Sequence, residues 1–370
     1  MTMHIIFLVT LFIIYFITGG NKSMDNLSCR KRQTIWMGIL LFLFAALRSY
    51  SVGQDVRGYE PFFQGYYYQY LVDASMSFND IIAYRSGRDP FFHLFLKLLS
   101  FIWPSPQLML IVIGAIVAFS FSYFTYKEKG NVLLFYIMFI GFRLFSFTLS
   151  GLRQATAMSL IFIAYVCFRE KKIWKMLLLT LLATLFHRSA LIFVLALPIE
   201  KLKNYYVLPA FIVGVIIVNF LSNEVLTETL SRLFYGDRFS DYFASTNNMN
   251  FGGGATFYIY MAIYFAVFLY FTKMMYVNPL IINEFNILTV GILFVIIGLS
   301  IENVFRISYY FIFVLYPIFS QFLNVVFKKR DVNIIVFLVS ILLSIQYIVF
   351  GTGAGTEEYR FFWEDPYLYA

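Results

Sequence analysis

Charged residues are scarce in this sequence, and their scarcity excludes a soluble fold of this size. Only 13% of the 370 residues are charged and 61% are hydrophobic, whereas a soluble domain carries about 25% charged residues. Apolar runs recur along the whole chain and approach the roughly 20 residues that a helix needs to cross a bilayer. The alternating segments of membrane barrels are missing. The sequence therefore predicts an all-α fold, a polytopic bundle of transmembrane helices.

Cysteine and histidine are also rare, and several common catalytic motifs are missing. The chain has two cysteines, Cys29 and Cys167, and three histidines. Both cysteines fall at predicted cytoplasmic ends of spans, so they cannot form a disulfide framework, and no zinc spacing is present. The sequence contains no GxxxxGK(S/T), DxD or GxSxG motif. We expect a protein without a metal, a cofactor or a nucleic-acid partner.

Lysine-rich loops order the predicted spans in the membrane. Such loops are expected to be cytoplasmic, and all of them fall on one side only if the short apolar stretch 91–103 does not cross. We therefore predict a re-entrant or interfacial helix at 91–103, place both termini outside, and treat 1–370 as a single integral membrane domain. About twelve spans are predicted, near residues 4–19, 33–48, 106–126, 131–149, 152–168, 172–187, 189–200, 205–221, 256–272, 284–301, 305–327 and 332–350.

Lysine and arginine are distributed differently between the two predicted faces. Twelve of the thirteen lysines lie on the predicted cytoplasmic side, whereas eleven of the fifteen arginines lie on the outer side. The positive-inside rule disfavours arginine on the outer side of the membrane, so the number of predicted outer arginines needs an explanation. Three outer segments are long enough to build a site, namely loops 49–90 and 222–255 and the tail 351–370.

Six of the outer arginines lie at or just beyond the outer ends of spans, on different helices and loops. A guanidinium group is planar, permanently charged and bidentate, so it suits a phosphate better than an ammonium group does. Arginines that converge from separate helices would bind a diphosphate headgroup. The alternative is that each extends to the interface or pairs with an outer acid. The six are Arg48, Arg57, Arg153, Arg188, Arg238 and Arg306.

Arg143 lies inside a predicted span rather than at its end. A charge in the hydrocarbon costs at least about 2.5–3.5 kcal/mol and indicates a functional residue, so Arg143 is a further candidate for substrate binding. The alternative is a structural pair with a buried acid such as Glu302. Glu302 lies one turn before Arg306, and it belongs either to the binding site or to a hydrogen-bond network at a helix start.

His187 and Asp55 are the candidate general bases. His187 is at the outer end of a span and is followed at once by Arg188, and a base beside an anion-binding arginine fits group transfer. Asp55 precedes Arg57 in a glycine-containing loop, where it could orient a sugar hydroxyl or accept its proton. The structural alternatives are an interfacial histidine and a turn-stabilising aspartate.

Loop 49–90 is rich in aromatic residues, beginning with a group that extends from Tyr59 to Tyr70. Such rings could stack on the faces of sugars. More often they form the aromatic belt at a membrane interface, so both interpretations stay open.

Two of the segments discussed above resemble patterns of the EpsG-like, Wzy-type polysaccharide polymerases. The segment from Arg48 to Tyr59 is similar to that family's R-x-x-x-V-G-x-D-x-x-x-Y pattern, which includes Asp55. Arg153 and Gln154 begin a segment that resembles its R-Q-x-x-A helix start.

Two further segments complete the resemblance, in the family's order. Residues 183–191 are similar to A-x-x-F-H-x-S-A around His187, where the residue after the histidine is often lysine and is Arg188 in this chain. Residues 305–311 are similar to R-x-x-x-Y-F and include Arg306. Arg143 matches no position of these patterns.

The resemblance implies a glycosyltransferase in the bacterial inner membrane, with its active site facing outward. Such enzymes join oligosaccharide repeat units carried on undecaprenyl diphosphate into O-antigen, capsular polysaccharide or exopolysaccharide. The growing chain leaves its lipid diphosphate and is transferred to a hydroxyl group of the next lipid-linked unit. The implied partners are the two lipid-linked oligosaccharides and the lipid bilayer, with a chain-length regulator and a flippase of the same pathway as further candidates.

This interpretation assigns a role to each main candidate. Arg153, Arg188 and Arg306 stabilise the charge that develops on the donor diphosphate, an electrostatic role that is usually larger than acid–base catalysis. Arg48 is a candidate for the acceptor diphosphate. His187 is the first choice for the base that accepts the hydroxyl proton, ahead of Asp55.

Two other function classes stay open. A glycosyltransferase that uses a polyprenyl-phosphate sugar would have the same orientation, but this chain has more outer arginines than one phosphate needs. A flippase or transporter for lipid-linked oligosaccharides would have helices broken in mid-membrane and internal pseudo-symmetry, and the sequence contains no matching halves.

Overall fold

The chain is helical throughout the part that the computed structural model describes, which is residues 1–20, 22, 26–56, 89–103, 105–202, 213–214, 254–298 and 302–364. Its only extended pairing within these ranges is an antiparallel bridge between Arg48 and Phe361. The chain divides into two compact units, Met1–Ala190 with Ile335–Ala370 (unit 1) and Leu191–Ile334 (unit 2). The predicted all-α fold is confirmed, and the single membrane domain stays a prediction.

Unit 1 is built from helices that match most of the predicted spans in the first half of the chain. They are α1 (Thr2–Ile17), α2 (Leu27–Ala46), α3 (Pro90–Ser100), α4 (Pro106–Lys127), α5 (Val132–Gly141), α6 (Leu144–Ser150), α7 (Leu152–Arg169) and α8 (Ile173–Phe186). Helix α2 packs along α4, α4 along α7, and α7 along α8.

Unit 2 contains shorter and more often interrupted helices. After a 3₁₀ segment (Arg188–Leu195) come α9 (Ala196–Glu200), α10 (Gly254–Leu269), α11 (Phe271–Val277), α12 (Ile281–Ile297), α13 (Glu302–Ser308) and α14 (Leu315–Val326). Tyr264 of α10 lies against α12, where its hydroxyl bonds to Thr289 Oγ1 at 3.0 Å and its ring stacks on Phe285. The chain then continues into α15 (Lys329–Val349), most of which belongs to unit 1.

Polar caps fix where several helices begin. Asn26, Ser105 and Asn131 each accept a hydrogen bond from a backbone N–H in the first turn of α2, α4 and α5, respectively. These caps satisfy N–H groups that a helix start leaves unpaired. Helix α4 also begins with Pro106, which has no N–H to satisfy.

Helix α5 forms the core of unit 1. All ten of its residues are buried, as expected for a helix that is apolar on every side. The Tyr136 hydroxyl bonds to Ser122 Oγ at 2.7 Å and to the Thr34 carbonyl at 3.1 Å, so it satisfies polar groups of α2 and α4. Phe139 stacks on Phe121 with the ring centroids 4.0 Å apart.

The predicted span 131–149 is broken at Arg143. Helices α5 and α6 meet there at 57°, and Arg143 has a left-handed backbone, with φ at 61°. Its Nη2 donates to the Phe350 carbonyl at 2.6 Å, just beyond the end of α15. The arginine that we predicted inside a continuous helix therefore lies at a break between two helices.

The contacts of unit 1 gather at two ends, and segments that we predicted on one side of the membrane share an end. At the predicted cytoplasmic end, the Arg30 guanidinium donates to carbonyls of the α4–α5 turn, including those of Tyr126 and Gly130. Hydrogen bonds from Lys127 and Lys172 lower the pKa of Glu170 to about 2 at this end.

The predicted outer end is held together by main-chain bonds between the tail and residues 47–56. Ser49 N–H donates to the Arg360 carbonyl at 2.8 Å, and Gly53 N–H donates to the Gly355 carbonyl at 3.0 Å. Gly355 has φ at +72°, and a side chain there would approach the Gln54 nitrogen to 2.8 Å. The tail therefore needs glycine at this position.

The segment that contains α3 begins and ends at this same predicted outer end. Asp89, just before α3, contacts the start of α7, and Gln107, in the first turn of α4, donates to the Arg48 carbonyl at 3.3 Å. Eleven residues span about 16 Å, roughly half of the hydrocarbon thickness. Helix α3 alone is too short to cross, and the re-entrant or interfacial helix at 91–103 stays a prediction.

The expected count of about twelve spans is not confirmed. Two of the described helices, α4 and α15, are long and apolar enough to cross a membrane, and two bent pairs, α5 with α6 and α10 with α11, bring the number to four if each pair is one span. The predicted spans 305–327 and 189–200 are interrupted by 3₁₀ turns, and most of 205–221 lies outside the described residues. Apolarity predicts burial, but a buried run need not be one continuous helix.

We expect the two ends of unit 1 to lie on opposite sides of the membrane. A cysteine placed at Glu358, whose side chain is 84% exposed in the tail, should react with a membrane-impermeant thiol reagent on intact cells, after permeabilisation of any outer membrane. A cysteine placed at Lys172, 51% exposed at the other end, should react only after the inner membrane is opened. The native Cys29 and Cys167 are buried, so the parent chain is the background control. Labelling at Lys172 alone would invert the orientation.

Candidate active site

Asp89 is the centre of a polar cluster at the predicted outer end of unit 1. It occupies the N-cap position of α3 with φ at 41°, a left-handed backbone that is rare for residues other than glycine. An aspartate at this position normally caps its own helix, but the Asp89 side chain makes no such bond. Its carboxylate is directed to other elements instead.

Three groups from two helix ends bind the Asp89 carboxylate. Arg153 Nη1 lies 3.2 Å and His187 Nδ1 lies 3.0 Å from the same oxygen, Oδ2. The backbone N–H of Arg188 donates to the other oxygen, Oδ1, at 3.3 Å. Both oxygens are therefore engaged, and one aspartate joins a guanidinium group to an imidazole ring.

Electrostatics keeps this carboxylate charged although it is nearly buried. Burial alone raises the pKa of Asp89, because only 8% of its side chain is exposed. The hydrogen bond and charge of His187, the charge of Arg153 and the Arg188 N–H outweigh burial and lower the pKa below its ordinary value. The stabilisation that these contacts provide is present above the ordinary pKa of an aspartate and is lost as the pH falls through the lowered pKa.

The fold positions each of these groups at the end of a helix. Arg153 is in the first turn of α7, and His187 directly follows the last residue of α8. Helices α7 and α8 pack along each other. Phe186 of α8 contacts Phe91 and Phe95 of α3, with ring centroids 5.1 and 5.6 Å apart, so α3 is held against α8.

The contact with Asp89 orients the His187 ring. A neutral imidazole that donates its Nδ1–H to a carboxylate carries its lone pair on Nε2. The side chain of His187 is 16% exposed, and that of Arg153 is 27% exposed. Arg188 is exposed. The arrangement can therefore present a base and cationic groups beside one another at the predicted outer end.

Asp55 and Arg48 lie in the adjoining loop and have local structural partners. The Asp55 N–H donates to Ser150 Oγ at 2.9 Å. Arg48 is 1% exposed, and its guanidinium donates to the carbonyls of Ala45 and, at 3.0 Å, Leu149. These contacts tie the loop to the residues that precede α7, so the surroundings of Arg48 favour a structural role.

The remaining candidates are distributed over the rest of the chain. Gln154 is buried next to Arg153 in α7, and Arg143 bonds to the Phe350 carbonyl at the α5–α6 break. Arg306 and Glu302 are on α13 in unit 2. Arg57, Tyr59 and Arg238 lie outside the described residues.

Sequence reasoning missed Asp89, which we counted only as one of many outer acids. A local signal was present. Asp89 directly precedes Pro90 and an apolar run, which is the usual pattern of an N-cap and a first helical proline. That pattern predicts the helix start but not the partners of the carboxylate. In the described part of the chain, no three His, Cys, Asp or Glu side chains gather as metal ligands do.

The comparisons with known proteins give one match. The model of the EpsG family matches residues 31–363, which include most of unit 1 and all of unit 2. Neither the curated proteins nor the solved structures give a match. The family and the apolar helices indicate a membrane protein of polysaccharide biosynthesis. With nine-tenths of its length matched, the chain belongs to the EpsG family.

Proposed function

We propose that this protein is a membrane glycosyltransferase that polymerises oligosaccharide repeat units carried on undecaprenyl diphosphate, on the outer face of the inner membrane. The observation that carries the proposal is the Asp89 carboxylate, which holds His187 and Arg153 through one oxygen. Transfer of a sugar chain from a lipid diphosphate needs a base for the acceptor hydroxyl and positive charge for the leaving group. This cluster contains both.

The donor diphosphate would bind at the start of α7. Helix α7 has 18 residues and begins after Gly151 without a side-chain cap, so its first N–H groups and the positive end of its dipole favour an anion. Arg153 lies in this first turn, and exposed Arg188 follows His187. Arg306, on α13 of unit 2, is a separate candidate that rests on its family-like sequence pattern alone.

The reaction step would pair nucleophilic attack with departure of the diphosphate. The acceptor hydroxyl oxygen attacks the anomeric carbon of the donor, and the bond from that carbon to the diphosphate oxygen breaks. Its electron pair leaves with the diphosphate, whose charge Arg153 and Arg188 stabilise. The hydroxyl proton passes to Nε2 of His187, while Asp89 acts as a positioning residue that fixes the ring.

One observation favours a second candidate function, a flippase or transporter of lipid-linked oligosaccharides. Two helix pairs, α5 with α6 and α10 with α11, bend by 57° and 62° at short breaks, and transporters often use broken helices. The break in unit 1, however, is occupied by Arg143 bonded to a backbone carbonyl. The products of the two functions differ, so one assay separates them.

Cells that lack the protein should accumulate a lipid carrier with a single repeat unit on the outer face, whereas cells that contain it should show a ladder of longer lipid-linked chains. The measurement is extraction of lipid-linked glycans and their separation by length. Single units that accumulate on the cytoplasmic face would instead favour a flippase. An unchanged ladder would overturn both functions.

Replacement of Arg153, Arg188 or Arg306 by alanine should lower the rate of polymerisation by about 10²–10³-fold, as the loss of one preorganised electrostatic group does. Lysine at any of these positions should restore little of the lost rate, because an ammonium group lacks the bidentate geometry of a guanidinium group. The assay is joining of two purified lipid-linked repeat units. Arg360→Ala is the matched control, since Arg360 is 55% exposed at the same end of unit 1. Parental rates from all three alanine variants would remove the diphosphate site.

His187→Gln should lower the single-turnover rate by about 10²–10⁴-fold, the usual contribution of a general base. It should leave binding of the lipid diphosphate nearly intact. Asp89→Asn should produce a similar loss in rate, because an amide can accept from Nδ1 but carries no charge to balance a protonated ring. Asp89→Glu, which keeps the charge, should recover part of the lost rate.

The rates of these variants are measured from pH 5 to 9. If the rate of His187→Gln stays within about threefold of the parental rate at every pH, His187 is not the base, because the loss of a general base lowers the rate by about 10²–10⁴-fold. Asp55→Asn then tests the other candidate in the same assay. An Asp89→Asn variant with an unchanged rate but a lower unfolding temperature would reduce Asp89 to a structural residue.

A further inference from the structure

A groove runs along unit 1 between α2 and α4, away from the Asp89 cluster. It encloses about 580 Å³, a volume typical of sites for small molecules. Small residues of the two helices, among them Gly38 and Ala115, leave the space open. The helices cross closely at Gly38, where a side chain would collide with Ser122. The groove therefore results from the way in which α2 and α4 pack against each other.

The rim of the groove is apolar and exposed. Ile35 and Ile39 of α2 are 48% and 41% exposed, and Phe119 of α4 is 67% exposed. These residues fall within the predicted spans 33–48 and 106–126. Exposed apolar side chains in a span face the hydrocarbon, so the groove opens to lipid chains rather than to water.

One end of the groove carries positive charge. Lys31 lines it there together with Tyr126, and the Lys31 side chain is exposed. Among the described residues, no carboxylate lies within ion-pair distance of its ammonium group. Lys127 directly follows Tyr126, with its Nζ 5.6 Å from the Tyr123 ring, but its charge is paired with Glu170 at 2.8 Å, so the unpaired charge at this end is that of Lys31. This end coincides with the predicted cytoplasmic end of unit 1.

The length of the groove matches one leaflet. The twelve residues from Lys31 to Phe42 rise by about 16 Å along α2, which is about half of the roughly 30 Å hydrocarbon core. A ligand with its head group at Lys31 would therefore place its chains in the cytoplasmic half of the bilayer. Anionic lipids are enriched in that leaflet, and basic pockets between helices bind their head groups.

We propose that this groove binds an anionic phospholipid of the cytoplasmic leaflet, with its phosphate on Lys31 and an acyl chain along Ile35, Ile39 and Phe119. The charged end is opposite to the end that carries Asp89. A substrate whose diphosphate lies at Asp89 would enter the groove with its head group at the wrong end. The site is therefore separate from the proposed transferase reaction and does not depend on it.

The full-length protein is placed in nanodiscs that contain equal amounts of phosphatidylglycerol and phosphatidylcholine, and retained lipids are counted by native mass spectrometry. The parent should retain phosphatidylglycerol preferentially. Lys31→Gln should lower that preference by about fivefold, the usual effect of one lysine near an anionic surface. Ala115→Phe, which fills the groove, should abolish retention of both lipids.

Two matched controls should leave lipid retention unchanged. Lys175→Gln removes an exposed lysine at the start of α8, at the same end of unit 1, and Leu178→Phe adds bulk at a 58% exposed position of that helix. An unchanged preference in Lys31→Gln would overturn the proposal even if Ala115→Phe failed to fold. So would displacement of phosphatidylglycerol by added undecaprenyl phosphate, because the groove would then be a site for the carrier chain.

Discussion

A buried carboxylate needs partners, and the geometry at the predicted outer end of unit 1 follows from the partners that bind Asp89. Desolvation of an unpaired carboxylate would be expensive, so the start of α3 must stay within hydrogen-bond distance of α7 and α8. Asp89 reaches them with a left-handed backbone conformation. This conformation costs about 1–3 kcal/mol and persists only where the surrounding contacts stabilise it. Arg153 and His187 are fixed in turn, because they share one oxygen of the same residue.

Several arginines donate hydrogen bonds to carbonyls where helices end or break. Arg30 and Arg48 donate to carbonyls at helix ends, and Arg143 donates to the carbonyl of Phe350. A helix end leaves carbonyls without partners, and in a membrane no water satisfies them. A guanidinium group with five donors suits this role as well as it suits a phosphate, so Arg48 and Arg143, which we predicted on the outer side, have a structural explanation in these contacts.

Local patterns predicted where helices exist but not where they break or what they bring together. The predicted spans 106–126 and 152–168 agree within a few residues with Pro106–Lys127 and Leu152–Arg169, because apolar length and capping residues are local signals. The break at Arg143 depends on a carbonyl 207 residues away, and the partners of Asp89 lie 64 to 99 residues away. No pattern in one sequence reports such distant contacts. His187 was singled out because it stands beside Arg188, a local signal.

The shared carboxylate explains how one small cluster could serve both halves of a sugar transfer. With Asp89 ionised and Arg153 charged, the pair is balanced before the reaction. A proton taken up by His187 would be balanced by the carboxylate, while the negative charge of a departing diphosphate would be balanced by the guanidinium. Each charge that develops during the reaction would lie beside a group of opposite charge that is already in place, so little of the protein would need to reorganise. Such preorganisation is the main electrostatic source of catalysis. A histidine and an arginine without the aspartate would repel each other once the ring is protonated, and this repulsion is the physical reason for placing Asp89 between them.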